Sequence, residues 1–372
     1  MDTVECRPWT FGYATLTESG GDLTATTVMP AEWAPQSAVM LTWPHQGTDW
    51  HESLHEVEPV FLAIARAVLR FQHLLISCED GDRLARVTEE LERYCAEHRL
   101  PGRVIAIWAP ANDTWARDHG PLSVVGANGL QLLDFRFNAW GDKFPWTKDN
   151  ALNQHLSKAG AFGQTPLHPV DFVLEGGALE SDGAGTLLVT SECLLTPTRN
   201  PAYDRSGIED MLGETLGAQR VLWLNHGYLA GDDTDSHIDT LARFCAVDHI
   251  AYVACDRPDD EHYPALRAMK DELEQFRQAD GQPYKLTALP WPDALFDDDG
   301  DRLPATYANF LIINGAVLLP VYRVPQDQAA IDIVQAIFPD REIIAIDCAP
   351  LIRQHGSLHC VTMQLPEGVV AP

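Results

Sequence analysis

None of the eight cysteines, at positions 6, 78, 95, 193, 245, 255, 348 and 360, forms a C-x-x-C pair. Zinc-ribbon and thioredoxin-type motifs are therefore missing. So are a G-x-S-x-G elbow, a Walker loop and a G-x-G-x-x-G after a strand, which removes the best support for serine-hydrolase, P-loop and dinucleotide readings. Positive charge is scarce. Against 54 Asp and Glu stand 26 Lys and Arg, a formal net charge of −28. Such a surface repels phosphate backbones and anionic lipid, so no nucleic acid and no membrane surface is expected as partner, and a cationic small molecule suits it. The stretch MDTVECRPWTFGYATLTESGGD has no basic n-region and no apolar h-region, so no secretory signal is read. With the cysteine usage, this makes a reducing cytoplasm the expectation.

What is present is a globular composition, 45% apolar over 372 residues, with no Gly/Ser-rich or Pro-rich linker. Helical periodicity marks Leu54–Phe71, Arg83–His98, Glu261–Ala279 and Asp327–Ile337. Short β-type runs lie at 38–43, 73–78, 103–108, 130–137, 185–191, 220–224, 249–255, 316–322 and 342–346. Strands outnumber helices and several form couplets through Gly/Asn/Asp turns, which points to mixed sheets in a β-β-α-β style. The uncharged stretch Leu303–Tyr322 is long enough to span a bilayer, but Asn314-Gly315 at its centre reads as a hairpin between ANFLII and AVLLPVY. The acidic run Asp297–Asp301 reads as a solvated loop, because Leu295 stands where a calcium loop needs a ligand.

Five stretches carry candidate chemistry. HESLH (His51–His55) matches the zinc-peptidase pattern of two histidines one helical turn apart, but no third ligand is evident, and an exposed first helical turn is the plainer reading. TWARDHGP (Thr114–Pro121) packs Asp118 into what reads as a fixed loop. In LEGG, Glu175 ends an apolar run before two glycines that let another group approach the backbone closely. The alternative for Glu175 is an exposed turn acid. In DTDSHIDTLARF, an extended backbone would put His237, Asp239, Leu241 and Arg243 on one face. Last comes His359-Cys360 in QHGSLHCVTMQ, where the cysteine is either an inert small hydrophobe or a nucleophile.

Taken in order, Asp118, Glu175, His237-x-Asp239 and Cys360 resemble the agmatine deiminase family of the guanidine-modifying (pentein) superfamily, related to bacterial-type peptidyl-arginine deiminases. The stretches AEWAPQSAVMLTWPH, DTWARDHGP, DFRFNAWGDK, LEGGALESDGAGTLLVT, CLLTPTRNP, DDTDSHIDTLARF, YANFLIINGAVLLPVY and HGSLHCVTMQLP carry the likeness over about residues 30–366. The resemblance implies an α/β five-bladed propeller of ββαβ units, one catalytic domain over residues 1–372, and usually a homo-oligomer such as a dimer. It implies hydrolysis of agmatine to N-carbamoylputrescine and ammonia without metal or organic cofactor. By the same likeness Cys360 is the nucleophile and His237 the acid/base. Asp118 and Asp239 clamp the guanidinium, Glu175 supports the histidine, and Trp115 is an aromatic beside the cation. The residues suit that task, since carboxylates meet a guanidinium fork bidentately and a thiolate can attack its resonance-stabilised carbon. His355 and Ser357 replace glycines common in the family, and Met363 stands where a glutamine is frequent, which leaves substrate choice open. Arginine, peptidyl-arginine, a zinc peptidase on HESLH and a non-catalytic polyamine-binding protein are the competing readings.

Overall fold

A computed structural model of the chain describes residues 27–370. Cys6, the stretch read for a secretory signal and the two ends of the 1–372 domain reading lie outside the described residues. The first sheet is parallel, with β1 (Gln36–Thr42), β2 (His73–Cys78) and β3 (Val104–Trp108) joined by the helices Leu54–Leu69 and Gly81–His98. Parallel neighbours need such crossovers, because a tight turn can only reverse the chain. Asp80 caps the second helix by accepting a hydrogen bond from Arg83 N.

Four sheets then repeat one connectivity. In each, an antiparallel pair is followed by a helix and a strand parallel to the second member. The first uses β4 (Leu122–Gly126), β5 (Gly129–Arg136), the helix Thr147–Lys158 and β6 (Leu167–Val173). The second uses β7 (Glu180–Ser181), β8 (Thr186–Thr190), the helix Arg205–Leu216 and β9 (Arg220–Leu224). The third uses β10 (Ala242–Ala246), β11 (His249–Val253), the helix Tyr263–Leu273 and β12 (Lys285–Leu289). The fourth uses β13 (Leu311–Ile313), β14 (Ala316–Val321), the helix Asp327–Ile337 and β15 (Glu342–Asp347). The C-terminal β16 (Met363–Pro366) pairs antiparallel with β1, so the first sheet acquires the same pattern from the far end of the chain.

The molecule is thus an α/β protein of five small mixed sheets. Middle strands β8 and β11 are buried throughout, whereas third strands β12 and β15 have two exposed residues each and are otherwise mostly half-buried. Strand β1 is buried on both faces. Val39 and Leu41 enter one apolar cluster and Ala38 and Met40 another, as the two-residue period of a strand requires. The stretch Leu303–Tyr322 forms the expected hairpin, and no described helix is long and apolar enough to cross a membrane.

Candidate active site

Five chain segments meet around one cavity of about 260 Å³. Trp115, Asp118, His237 and Cys360 all line it. Asp118 lies in a one-turn helix, Ala116–His119, whose Arg117 N donates to Cys360 O at 3.1 Å. A backbone bond therefore ties the Asp118 segment to the Cys360 segment.

Asp118 is buried and both its oxygens are used. Oδ1 accepts from Gly177 N at 3.1 Å and Oδ2 from Trp140 Nε1 at 3.1 Å. His237 Nδ1 stands 3.6 Å from Asp118 Oδ1. Burial, Asp239 and Glu175 push the Asp118 carboxyl up to about 6, against the pull of His237. Burial works against a charge on His237, but Asp118, then Cys193 and Glu175, override it and raise its pKa to about 10. The pair is therefore an ion pair across the neutral range. A Cβ on residue 177 would fall 2.5 Å from His237 Nδ1 and 2.8 Å from Asp118 Oδ1. The close approach expected at the Gly-Gly step is realised here.

Glu175 is fully buried, which corrects the alternative of an exposed turn acid. Arg199 Nε donates to both its oxygens at 2.9 and 3.0 Å, and the same guanidinium reaches Asp235. Glu175 lies behind His237, within 4.8 Å of it by ligand atoms, and does not line the cavity.

The segment from Asp233 is not an extended strand. Asp235 and Ser236 have positive φ, and Thr240 N and Oγ1 both donate to His237 O, closing a 3-10 turn over Ile238–Thr240. A strand begins only at Ala242. His237 consequently faces the cavity and Asp239 lies behind it, while Leu241 enters the apolar core and Arg243 a buried charge network. The hydroxyl of Thr240 supplies the local bond that breaks the alternation.

Asp239 accepts at Oδ2 from His359 Nδ1 at 2.7 Å and from Asn309 Nδ2 at 3.2 Å. Its Oδ1 is buried without a hydrogen-bond partner among the described residues, as is His237 Nε2. Asn309 also links Asp239 to Cys360, whose N and Sγ lie 3.3 and 3.4 Å from Asn309 Oδ1. Burial, then Asp239 and Asp118, push the Cys360 thiol well above its ordinary value. A thiolate here needs a positive charge brought between those carboxylates.

Trp115 is held on several sides. Its Nε1 donates to Asp113 Oδ2 at 3.0 Å, and its ring meets Trp50 and Trp140 at centroid distances of 5.7 and 6.2 Å. Gly356 lies so close that a Cβ would sit 2.1 Å from Trp115 Cζ3. His355 lines the cavity with φ +64 and its Nδ1 donates to Gly231 O at 2.7 Å. Ser357 faces the other way, onto Tyr322 Oη at 2.8 Å, and does not touch the entrance. Met363 packs under Gly120 and Gly176.

HESLH does not converge. His51, Glu52 and His55 are exposed, and each histidine pairs with the glutamate that follows it. Among the described residues the convergent ligand groups are Glu175, Cys193 and His237, and Glu32, Glu180 and His359. An arginine already supplies positive charge to each, Arg199 to the first and Arg243 to the second. Trp140, Asn309, Arg199 and Cys193 were not singled out from the sequence. Asn309 sits inside a run legible only as a buried strand, and Trp140 and Arg199 inside stretches whose likeness to a family gave no individual role.

The family model for Porphyromonas-type peptidyl-arginine deiminase matches residues 28–366. Agmatine deiminase of Pseudomonas syringae pv. tomato is 32% identical over 363 residues, covering 91% of this chain and 95% of that protein. The structure of C. jejuni agmatine deiminase, as a cysteine-to-serine variant with substrate bound, superposes with a TM-score of 0.86 at 34% identity, covering 95% of this chain and 100% of that one. A Porphyromonas gingivalis structure provisionally described as an arginine deiminase has 51% identity and a TM-score of 0.86, covering 93% of this chain and 100% of that one. With the matched span running through all five sheets and the Cys360 segment, the chain belongs to the Porphyromonas-type peptidyl-arginine deiminase family.

Proposed function

We propose that this protein hydrolyses agmatine to N-carbamoylputrescine and ammonia through a thiouronium adduct on Cys360. The observation that carries the reading is the shared cavity of Trp115, Asp118, His237 and Cys360, with the buried Oδ1 of Asp239 free of hydrogen-bond partners among the described residues. A guanidinium entering there meets Asp118 and Asp239 on different edges and the face of Trp115. Its charge lowers the cost of ionising Cys360, the thiol proton passes to water as the cation binds, and the thiolate then attacks the guanidinium carbon. His237, charged in the resting site, protonates the departing ammonia. The neutral imidazole then takes a proton from the water that attacks the adduct, and collapse to the carbamoyl group frees the sulfur. Glu175, held by Arg199, keeps negative charge behind His237 and so favours its imidazolium.

Asp49, Asp113, Asp149, Asp232 and Asp233 extend the cavity outward, with no lysine or arginine in its lining. Burial, then Asp49 and Asp149, push the Asp113 acid well up, and burial pushes Asp149 up to about 7. This wall suits a second positive charge and offers no lysine or arginine to an α-carboxylate, which favours agmatine over free arginine. Arginine deimination is the second reading, favoured by the description of the P. gingivalis structure. Ammonia release from agmatine, arginine and a peptidyl-arginine decides between them. The proposal expects kcat/KM for agmatine at least about a hundredfold above arginine, a difference of about 3 kcal/mol. Equal or reversed values overturn the substrate assignment.

The five sheets are read as blades of one propeller, each with its first strand toward the axis, forming a single catalytic domain. The seven described cysteines are free, which suits the cytoplasm. The active particle is taken to be a homo-oligomer such as a dimer, which light scattering tests.

A further inference from the structure

We infer that His359 is a positively charged positioning residue that holds the Asp239 carboxylate for the substrate, with Glu32 as its second carboxylate partner. The inference rests on the function proposed above. Both ring nitrogens of His359 contact carboxylates at 2.7 Å, Nδ1 on Asp239 Oδ2 and Nε2 on Glu32 Oε2. A neutral imidazole has one N–H and would turn a lone pair toward one of those anions. Two such contacts call for two donors. Arg243 Nη2 reaches the same Glu32 oxygen at 3.0 Å and therefore stands 3.1 Å from Nε2, two donors converging on one acceptor.

Charge balance gives the same answer. The groups facing the ring are Glu32, Asp239, Arg117, Arg243 and, through Arg243, Glu180. Burial pushes the Glu180 acid up to about 7, but both its oxygens meet donors, Arg243 Nε and Phe244 N, which is the pattern of a carboxylate. Three carboxylates against two guanidinium groups leave one negative charge, and an imidazolium at His359 cancels it. Burial, Arg117 and Arg243 pull the His359 pKa below its ordinary value, against Glu32 and the Asp239 hydrogen bond, so it is the two 2.7 Å carboxylate contacts and the charge count that call for the proton. His237 and Asp118 act on Asp239 from the cavity side. With Oδ2 taken by His359 and Asn309, Oδ1 is left for the guanidinium.

The test is steady-state ammonia release from agmatine against pH in wild type, His359→Gln, Glu32→Gln and the double variant. In His359→Gln the stranded negative charge should raise KM about tenfold or more, with a smaller fall in kcat. As Asp239 becomes easier to protonate, the acid limb of kcat/KM should fall more steeply below the pH at which Asp118 takes its proton. Adding Glu32→Gln removes the excess charge and should return KM to within about threefold of wild type. Unmoved KM and acid limb with only a lowered melting temperature, or purely additive losses in the double variant, overturn the inference. Neutron diffraction from wild-type crystals reads the ring without any mutation. Deuterium on both nitrogens supports the inference, and one bare nitrogen refutes it. Absence of ammonia from wild type and agmatine would sink the proposed function and still leave the neutron result to decide His359.

Discussion

Asp118 and His237 hold opposite charges through the neutral range because each offsets what burial costs the other, and that pairing sets the pH range of the proposed chemistry. Asp118 ionises near 6 and His237 stays protonated to about 10. The pH profile of kcat/KM for agmatine should therefore rise through about pH 6 and fall only near pH 10, and a profile falling near His237's ordinary value of 6.5 would contradict the pairing. Stability follows the same sign. The folded pKa of His237 is raised, so its contribution is complete below 6.5 and drains away as pH climbs toward 10. Trp140 shows how much one donor matters. Replacing it with Phe leaves Asp118 Oδ2 without the 3.1 Å bond, and such a loss at a charged, buried group costs about 1.5–3 kcal/mol. We expect kcat/KM to fall by about ten- to a hundredfold, measured beside an unchanged circular dichroism spectrum. Gly356→Ala puts a methyl into the Trp115 ring and should raise KM while leaving the Cys360 thiol titratable.

Elements with a strong period were legible in the sequence. His73–Cys78, Arg220–Leu224 and Asp327–Ile337 fall where alternation or helical spacing puts them. The helices Thr147–Lys158 and Arg205–Leu216 were not, because their apolar stripes are thin and polar residues such as Asn150, Asn153 and Glu214 interrupt them. Strand β7 has two residues, too short for any period to register. At the site, the Gly-Gly step conveyed close approach and only the family likeness gave Cys360 a role, while the 3-10 turn at Ile238–Thr240 depends on a hydroxyl that alternation cannot report. Asn309 is joined to Asp239 and Cys360 across 70 and 51 residues, and that distance hides it from any local reading. The hairpin at Asn314-Gly315 is a direct test at this scale. Gly315 has φ +72 with Phe71 against it, so Gly315→Val forces a β-branched residue into a left-handed turn and should lower the melting temperature by several degrees.

The whole chain is closed by its last strand. β16 covers the edge of β1 and buries Leu365 and Met363 beside Val369. Deleting residues 363–370 removes those side chains, each worth about 2–5 kcal/mol, from a total stability of about 5–15 kcal/mol. The truncated chain should lose its cooperative thermal transition, and an unchanged melt would show that the closing strand is dispensable. Closure also matters for chemistry, because Cys360 is carried on the segment that β16 anchors, facing Asp118 and His237 from remote parts of the sequence. The central claim is that this convergence presents a guanidinium carbon to one sulfur. Rapid acid quench of the wild-type protein turning over agmatine, followed by peptide mass spectrometry, tests it most directly. The account predicts an amidino adduct on the Cys360 peptide during turnover and no ammonia from Cys360→Ala. Ammonia release by Cys360→Ala at the wild-type rate, or an adduct confined to another cysteine, would contradict it.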